Sequence, residues 1–296
     1  MNPKIEFFHF QIESFSITST KIKEIIKHMI DKIVLVTGAS SGIGKALAFD
    51  FASRGSKLVL AARNIEKLKE IEQTLIEQGT EVLCVKTDVS IESDCQNLIS
   101  EAVAKFGCID VLINNAGISM RALFKDCELS VLKNLMDVNF WGTVYCTKYA
   151  MPYITQAKGS VVGVISIAGY VGLPGRTGYS ASKYAIRGFL DTLRVENLKT
   201  GVHVLVAAPG FTASNVRNVA LTADGSSQGE TPRDEAKMMT AEICAEHIAK
   251  AVIKRKRELI LTFVEGKFTV WLKKWFPSLL EKLTYNHMAK EPNSGL

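Results

Sequence analysis

From residue 33 to residue 262 the chain alternates short runs rich in Val, Ile and Leu with longer segments of helical period, and this alternation limits the fold more than any other feature. Runs at 33–37, 57–62, 81–86, 111–114, 160–166, 202–208 and 258–262 read as strands. Their near-continuous apolar content marks strands buried on both faces, as in a parallel sheet covered by helices. Helices are predicted to begin near Gly42, Ile65, Ser93, Ser130, Tyr179 and Thr240. The connections are short enough for right-handed crossovers. The expectation is one α/β domain built on a doubly wound, parallel, seven-stranded sheet.

The layout reads as an N-terminal extension (1–28), a body (29–265) and an amphipathic helical segment (266–296). In the extension, Phe7, Phe8, Phe10, Ile12, Phe15 and Ile17 are interrupted by His9, Gln11, Glu13 and Ser14. That pattern is neither a signal peptide's apolar run nor a membrane span. It reads as an appended stretch, with Met29 as a candidate start, or else as an arm packing on the domain or a partner. Residues 222–233, with Gly225, Ser226, Ser227, Gly229 and Pro232, read as a mobile loop.

With 296 residues, 47% apolar and 22% charged, the chain can bury a large core, and disorder and multi-span membrane classes are excluded. The net charge of +6 is local. Residues 254–290 hold nine Lys/Arg against three Asp/Glu, an excess equal to that of the whole chain. No nucleic-acid recognition module accompanies it, so no nucleic-acid partner is expected. The six cysteines and five histidines form no C-x-x-C or H-E-x-x-H pattern, which speaks against a disulfide framework and a metal site.

The first strand runs into Thr37-Gly38-Ala39-Ser40-Ser41-Gly42-Ile43-Gly44. Glycines let the backbone turn sharply and approach a ligand, while the following helix N-terminus offers N–H groups and a positive dipole end to a pyrophosphate. At the first strand of such a chain this predicts dinucleotide binding, as in Rossmann-type folds. Without G-K-[ST], an ATP-binding P-loop is disfavoured. The second strand ends at Arg63, and no Asp or Glu lies between Asp50 and Glu66. An acid at that point would bind a ribose 2′-OH and an Arg would meet a 2′-phosphate, so NADP(H) is favoured and NAD(H) stays open.

The spacing G-x-x-x-G-x-G resembles that of the short-chain dehydrogenase/reductases. The likeness continues in order through Asp88-Val89, Asn114-Asn115-Ala116-Gly117, Asn139, Ser166, Tyr179-x-x-x-Lys183 and Pro209-Gly210, over roughly residues 30–215. It implies a hydride-transferring oxidoreductase acting on a carbonyl or alcohol. Tyr179 would be the general acid/base, with Lys183 lowering its pKa and holding the nicotinamide ribose. Tyr and Lys four apart share a helix face, and a nearby cation favours phenolate, which fits that assignment. Ser166 would orient the substrate carbonyl, although the serine that often precedes it in relatives is Ile165 here. Asn139 matches the residue that holds a water on a proton path to Lys183. The glycine turn with Asp88, Val89, Asn115, Ala116, Gly117, Pro209, Gly210 and Thr212 would hold the cofactor. Ser41 stands where some NADP-using relatives carry a basic residue, which leaves the discrimination to Arg63.

The resemblance further implies a homodimer or homotetramer through the helix bearing Tyr179 and the long one before it. An NAD-linked alcohol dehydrogenase and a non-catalytic nucleotide-sensing scaffold are the alternatives, the latter opposed by the intact Ser166, Tyr179 and Lys183. Apolar content at 211–239 leans toward a lipophilic substrate. Beyond the last strand, Phe268, Trp271, Leu272, Trp275, Phe276, Leu279, Leu280 and Leu283 recur at three- and four-residue spacing among Lys267, Lys273, Lys274 and Lys282, with Pro277 placed to divide the helix. This stripe packs over the pocket, joins a subunit interface or lies on an anionic membrane. The expected location is cytoplasmic, with peripheral membrane contact in the last case.

Overall fold

The period-2 pattern of the apolar runs is realised as strands that send alternate side chains into two separate cores. The computed structural model describes residues 29–212, 216, 219–229, 238–291 and 295–296, so the readings made for 1–28 and for the end of the 222–233 loop lie outside the described residues. Strands β1 (Ile33–Thr37), β2 (Lys57–Ala62), β3 (Val82–Lys86), β4 (Val111–Asn114), β5 (Ser160–Val164), β6 (His203–Ala208) and β7 (Glu258–Ile260) form one sheet in the order β3-β2-β1-β4-β5-β6-β7. Every neighbouring pair is parallel. This is the expected doubly wound, Rossmann-type sheet.

Val34 and Val36 face one core while Ile33 and Leu35 face the other, and Leu58 and Leu60 alternate in the same way with Val59 and Ala61. Helices α1 (Gly42–Ser53), α2 (Ile65–Glu77) and, later in the chain, α7 (Ala241–Ile253) cover the first face. The second face is covered by α3 (Glu92–Phe106), α5 (Gly142–Ala157) and α6 (Thr177–Glu196). Fully buried side chains such as Phe51 and Leu112 contribute about 1.5–3 kcal/mol each by leaving water.

The single helix expected from Ser130 is α4 (Leu129–Leu135) joined to α5 through a π-helical turn, Met136–Trp141. One wide turn in a helix displaces the residues after it, and such bulges recur at functional sites. Within the polar loop, residues 222–226 close a turn on Asp224, whose carboxylate accepts from the Thr222 hydroxyl at 2.6 Å and the Ser226 N–H at 3.0 Å. Those bonds hold the Asp224 carboxyl well below the usual range.

After β7 the chain makes a second π-helical turn (Phe263–Phe268) and two helices, α8 (Thr269–Trp275) and α9 (Pro277–Met288). Pro277 opens α9, where its missing N–H costs nothing, so it divides the stripe as expected. Only Leu272 and Leu280 of the stripe are buried. Packing on the body therefore accounts for those two residues alone. Beyond α9, the buried Glu291 lies between Arg176 at 3.4 Å and Arg121 at 3.6 Å.

His203 ties β5, β6 and the turn into β7 together. Its Nε2 faces the Lys256 carbonyl at 2.7 Å and must carry the proton, so Nδ1 accepts from the Ser160 hydroxyl at 3.0 Å. Burial holds its pKa below the ordinary 6.5, with the Arg255 and Arg194 charges acting the same way against the Lys256 carbonyl. The unfolded chain therefore takes up this proton first. The stability contributed by the neutral ring is full above about pH 6.5 and is lost as the pH falls through the lower folded value. Between about pH 7.5 and about pH 5.5, the melting temperature of the wild type should fall further than that of His203→Gln; parallel pH profiles would remove this role.

Candidate active site

Because the chain winds outward from β1 to β3 and then returns to lay β4 on the other side of β1, the loops beyond these two strands part at the sheet's carboxyl edge. A cleft of about 410 Å³ opens there. Its floor is a knot centred on Thr37. The Thr37 hydroxyl accepts the N–H groups of Asn115 and Ala116, both at 3.0 Å, and Asn115 Nδ2 donates to the Thr37 carbonyl at 2.9 Å. Gly38 has φ +66°, and a Cβ there would lie 2.8 Å from the Ala116 Cα. At Gly44 a Cβ would be driven into the Gly38 carbonyl oxygen. Glycine at both places lets the loops after β1 and β4 close on each other.

Ser40, Ser41, Gly42 and Ile43 line the cleft at the N-terminus of α1, where unpaired N–H groups and the dipole favour an anion and no acidic residue occupies the first turn. Arg63 lines it from the end of β2 and is exposed. The neighbouring Asn64 caps α2 by accepting the Lys67 N–H at 2.8 Å. Asp88 and Val89 lie on the wall beyond β3, with Asp88 Oδ1 accepting from the Ser90 hydroxyl at 2.6 Å and N–H at 3.0 Å. Asn115, Ala116 and Gly117 complete that side.

At the other end stand Tyr179 and Lys183, both on α6 and both on the cleft wall. The Lys183 ammonium lies 5.7 Å from the centre of the Tyr179 ring and donates to the Val164 carbonyl at 3.0 Å. Lys183 is 4% exposed, and burial pushes its pKa down to about 8. Asn139 sits behind this pair, fully buried in the π-helical turn. Its Oδ1 accepts the Ile118 N–H at 2.8 Å, and its Nδ2 donates to the Ile118 carbonyl at 3.0 Å and to Ser182 Oγ at 2.9 Å. The Ser182 hydroxyl in turn donates to the Tyr179 carbonyl at 2.8 Å. A Cβ at Gly117 would fall 3.1 Å from Asn139 Oδ1 and 3.4 Å from Lys183 Nζ, so the motifs at 117, 139 and 183 converge on one point.

Ser166 follows Ile165, which lines the cleft. It caps the short 3-10 turn Ile167–Gly169, its Oγ accepting from the Ala168 N–H at 3.2 Å, a bond that leaves the hydroxyl proton able to donate. Pro209, Gly210 and Thr212 lie off the described wall. The Pro209 carbonyl accepts from Ile167 at 3.2 Å, and the buried Thr212 donates to the Gly210 carbonyl at 3.3 Å. Val216 and Val219 line the cleft from that segment. Sequence reasoning passed over Thr37, Ile118, Ser182 and the Val164 carbonyl. Ser182 alone carried a signal, its three-residue spacing from Tyr179 on the same helix face.

Residues 32–224 match the family described as short chain dehydrogenase. Dehydrogenase/reductase SDR family member 7B of Mus musculus is 34% identical over 272 residues, covering 90% of this chain and 84% of that protein. The 11-beta-hydroxysteroid dehydrogenase 1A of Arabidopsis thaliana is 38% identical over 216 residues, covering 72% of this chain and 60% of that protein. Among solved structures, a short chain dehydrogenase/reductase from Burkholderia phymatum in complex with NAD superposes with a TM-score of 0.76 at 24% identity, covering 85% of this chain and 96% of that one. An alcohol dehydrogenase from Thermococcus sibiricus complexed with 5-hydroxy-NADP gives 0.68 at 24% identity, covering 78% and 95%.

The crowding at Gly44 makes a direct test of the cleft floor. Gly44→Ala should weaken nicotinamide dinucleotide binding, measured by titration calorimetry with NADPH and NADH in turn, at least about tenfold, the scale of a forced backbone shift in a packed site. Far-UV circular dichroism should stay unchanged. Undiminished binding would show that the turn does not shape the cofactor site.

Proposed function

The chain belongs to the short chain dehydrogenase family, and within it we propose an NADP(H)-dependent reductase of lipophilic ketones or aldehydes in which Tyr179 moves the proton. Membership makes the protein an oxidoreductase that uses a nicotinamide dinucleotide to interconvert alcohol and carbonyl groups. The observation that carries the finer reading is the pairing of Tyr179 with a desolvated Lys183 on one cleft wall.

The residues present fit the cofactor. Two glycines hold the turn open, the first turn of α1 lines the cleft and carries no acidic residue, and Arg63, Asp88, Asn115, Tyr179 and Lys183 line the same cleft. The pyrophosphate would lie on Ser40, Ser41, Gly42 and Ile43, the adenosine end near Asp88 and Val89, and the ribose near Lys183. When bound, the cofactor supplies the hydride. Every other contribution comes from the chain. A positive Lys183 lowers the free energy of the phenolate, so Tyr179 can give its proton to a carbonyl oxygen or take one from an alcohol near neutral pH. Ser166 donates to the same oxygen and fixes its angle. Asn139, clamped on Ile118 and Ser182, holds the proton path behind Lys183.

Arg63 supports NADP(H), since it stands where an NAD site would place an acid, and Asp88 is the acid on the described cleft wall. Support for a lipophilic substrate comes from the apolar cluster of Met120, Ile118 and Leu221 packed with Tyr179, and from Val216 and Val219 on the wall. The Arabidopsis relatives are named for hydroxysteroids, a class of that polarity. A homodimer or homotetramer would use α5 and α6. Trp141, just ahead of α5, is exposed and stacked on Tyr145 at 5.6 Å, a surface suited to a partner. The six cysteines are free thiols, in keeping with a cytoplasmic location, and peripheral membrane contact would fall to the C-terminal helices.

NADPH oxidation against carbonyl compounds graded in chain length and polarity is the deciding assay. Tyr179→Phe should cut kcat/KM by about 10²–10⁴ while leaving NADPH affinity unchanged, the range for loss of a general acid. Full activity in that variant would strip Tyr179 of the proton transfer, and a biological effect of the protein that survives the loss of activity would return the site to nucleotide sensing. Arg63→Asp should move the NADPH/NADH preference toward NADH in steady-state assays, and an unchanged ratio would strip Arg63 of that role.

A further inference from the structure

We propose that the exposed aromatic face of residues 263–285 seats on an anionic lipid surface. This rests on the peripheral membrane contact proposed above, and it adds which face makes the contact and which lipid charge it selects. The two C-terminal helices are fixed to the body from the inside. Leu272 and Leu280 enter the core, and Lys273 Nζ donates to the Tyr170 carbonyl at 2.5 Å and bonds the Tyr184 hydroxyl. Everything on the opposite side is therefore presented outward. Phe263 is 73% exposed and Trp275 59%, and Phe268, Trp271, Phe276 and Leu279 are exposed beside them. Phe268, Trp271 and Phe276 form a platform, with Trp271 stacked on Phe268 at 5.8 Å and tilted at 6.0 Å from Phe276.

An apolar patch of this kind marks an interface. Charge decides the occupant. Lys267, Lys274 and Lys282 are exposed among the aromatics, and Lys274 lies over the Trp275 ring at 5.2 Å. A second copy meeting this face about a two-fold axis would bring together two surfaces of the same net positive sign, since the exposed Glu265 and Glu281 offset only part of the lysine charge. An anionic headgroup layer meets them with opposite charge, while tryptophans settle at the headgroup boundary and lysine stems reach the phosphates. No helix among the described residues is long and apolar enough to cross a membrane, and Pro277 separates α8 from α9, so the segment lies along the surface.

Flotation of the full chain with vesicles of phosphatidylcholine alone and of phosphatidylcholine with phosphatidylserine tests this. The wild type should float with the anionic vesicles. Trp271→Ser/Trp275→Ser and Lys274→Glu/Lys282→Glu, both folded by the criterion of unchanged NADPH binding, should each float at least about tenfold less. A wild type that floats with neither vesicle overturns the membrane contact itself. Flotation undiminished in the variants leaves that contact standing and overturns this face as its site, and equal flotation on the two vesicles overturns the charge selection. If the platform variant instead converts a sedimenting dimer to a monomer without changing flotation, the face belongs to a second copy.

Discussion

A lysine ammonium held almost wholly out of water organises the carboxyl edge of this sheet. Burying a charge is unfavourable by several kcal/mol unless polar groups replace its hydration. Lys183 has the Val164 carbonyl, offered by the last residue of β5. Its surroundings are built to the same requirement. Gly117 contributes no side chain beside the ammonium, Asn139 spends its carboxamide on Ile118 and Ser182, and Ser182 returns the connection to the backbone of Tyr179. The cost of burial shows in the lowered pKa of about 8. A phenol beside such a group is the setting in which acid/base chemistry becomes accessible.

The other half of the cleft depends on a different economy, that of backbone approach. Thr37 receives two N–H groups from the loop after β4, and Asn115 answers with its amide on the Thr37 carbonyl. These bonds draw together segments 78 residues apart in the chain, and they close only because Gly38 and Gly44 lack a Cβ. A wide, shaped cleft with backbone N–H groups along one rim follows from that closure. The topology supplies the place, since the sheet changes winding direction between β1 and β4.

The C-terminal segment belongs to neither half. Leu272, Leu280 and Met288 are its buried apolar side chains, Val270 packs against the same core, Lys273 and the Glu291 ion pairs add polar ties, and exposed aromatic side chains remain outside. Lys273 ends on the carbonyl of Tyr170, four residues beyond Ser166, and on the Tyr184 hydroxyl.

Much of this was readable before any coordinates. Alternating apolar runs place side chains on both faces of a strand, and the strands and helix starts lie within two residues of where the pattern put them. Tyr179 and Lys183 were bound to share a side because four residues make about one helical turn. These are local regularities, imposed by backbone geometry over a few residues. The rest required the folded chain. That Asn139 meets Ile118 and Ser182, 21 and 43 residues away, follows from a π-helical turn that no periodicity announces. Likewise the recurrence of Phe268, Trp271 and Trp275 declared an apolar stripe without declaring what covers it. Spacing along a chain determines which side chains point the same way, whereas only the packing of distant segments, with burial set against hydrogen bonding at each contact, decides what they point at.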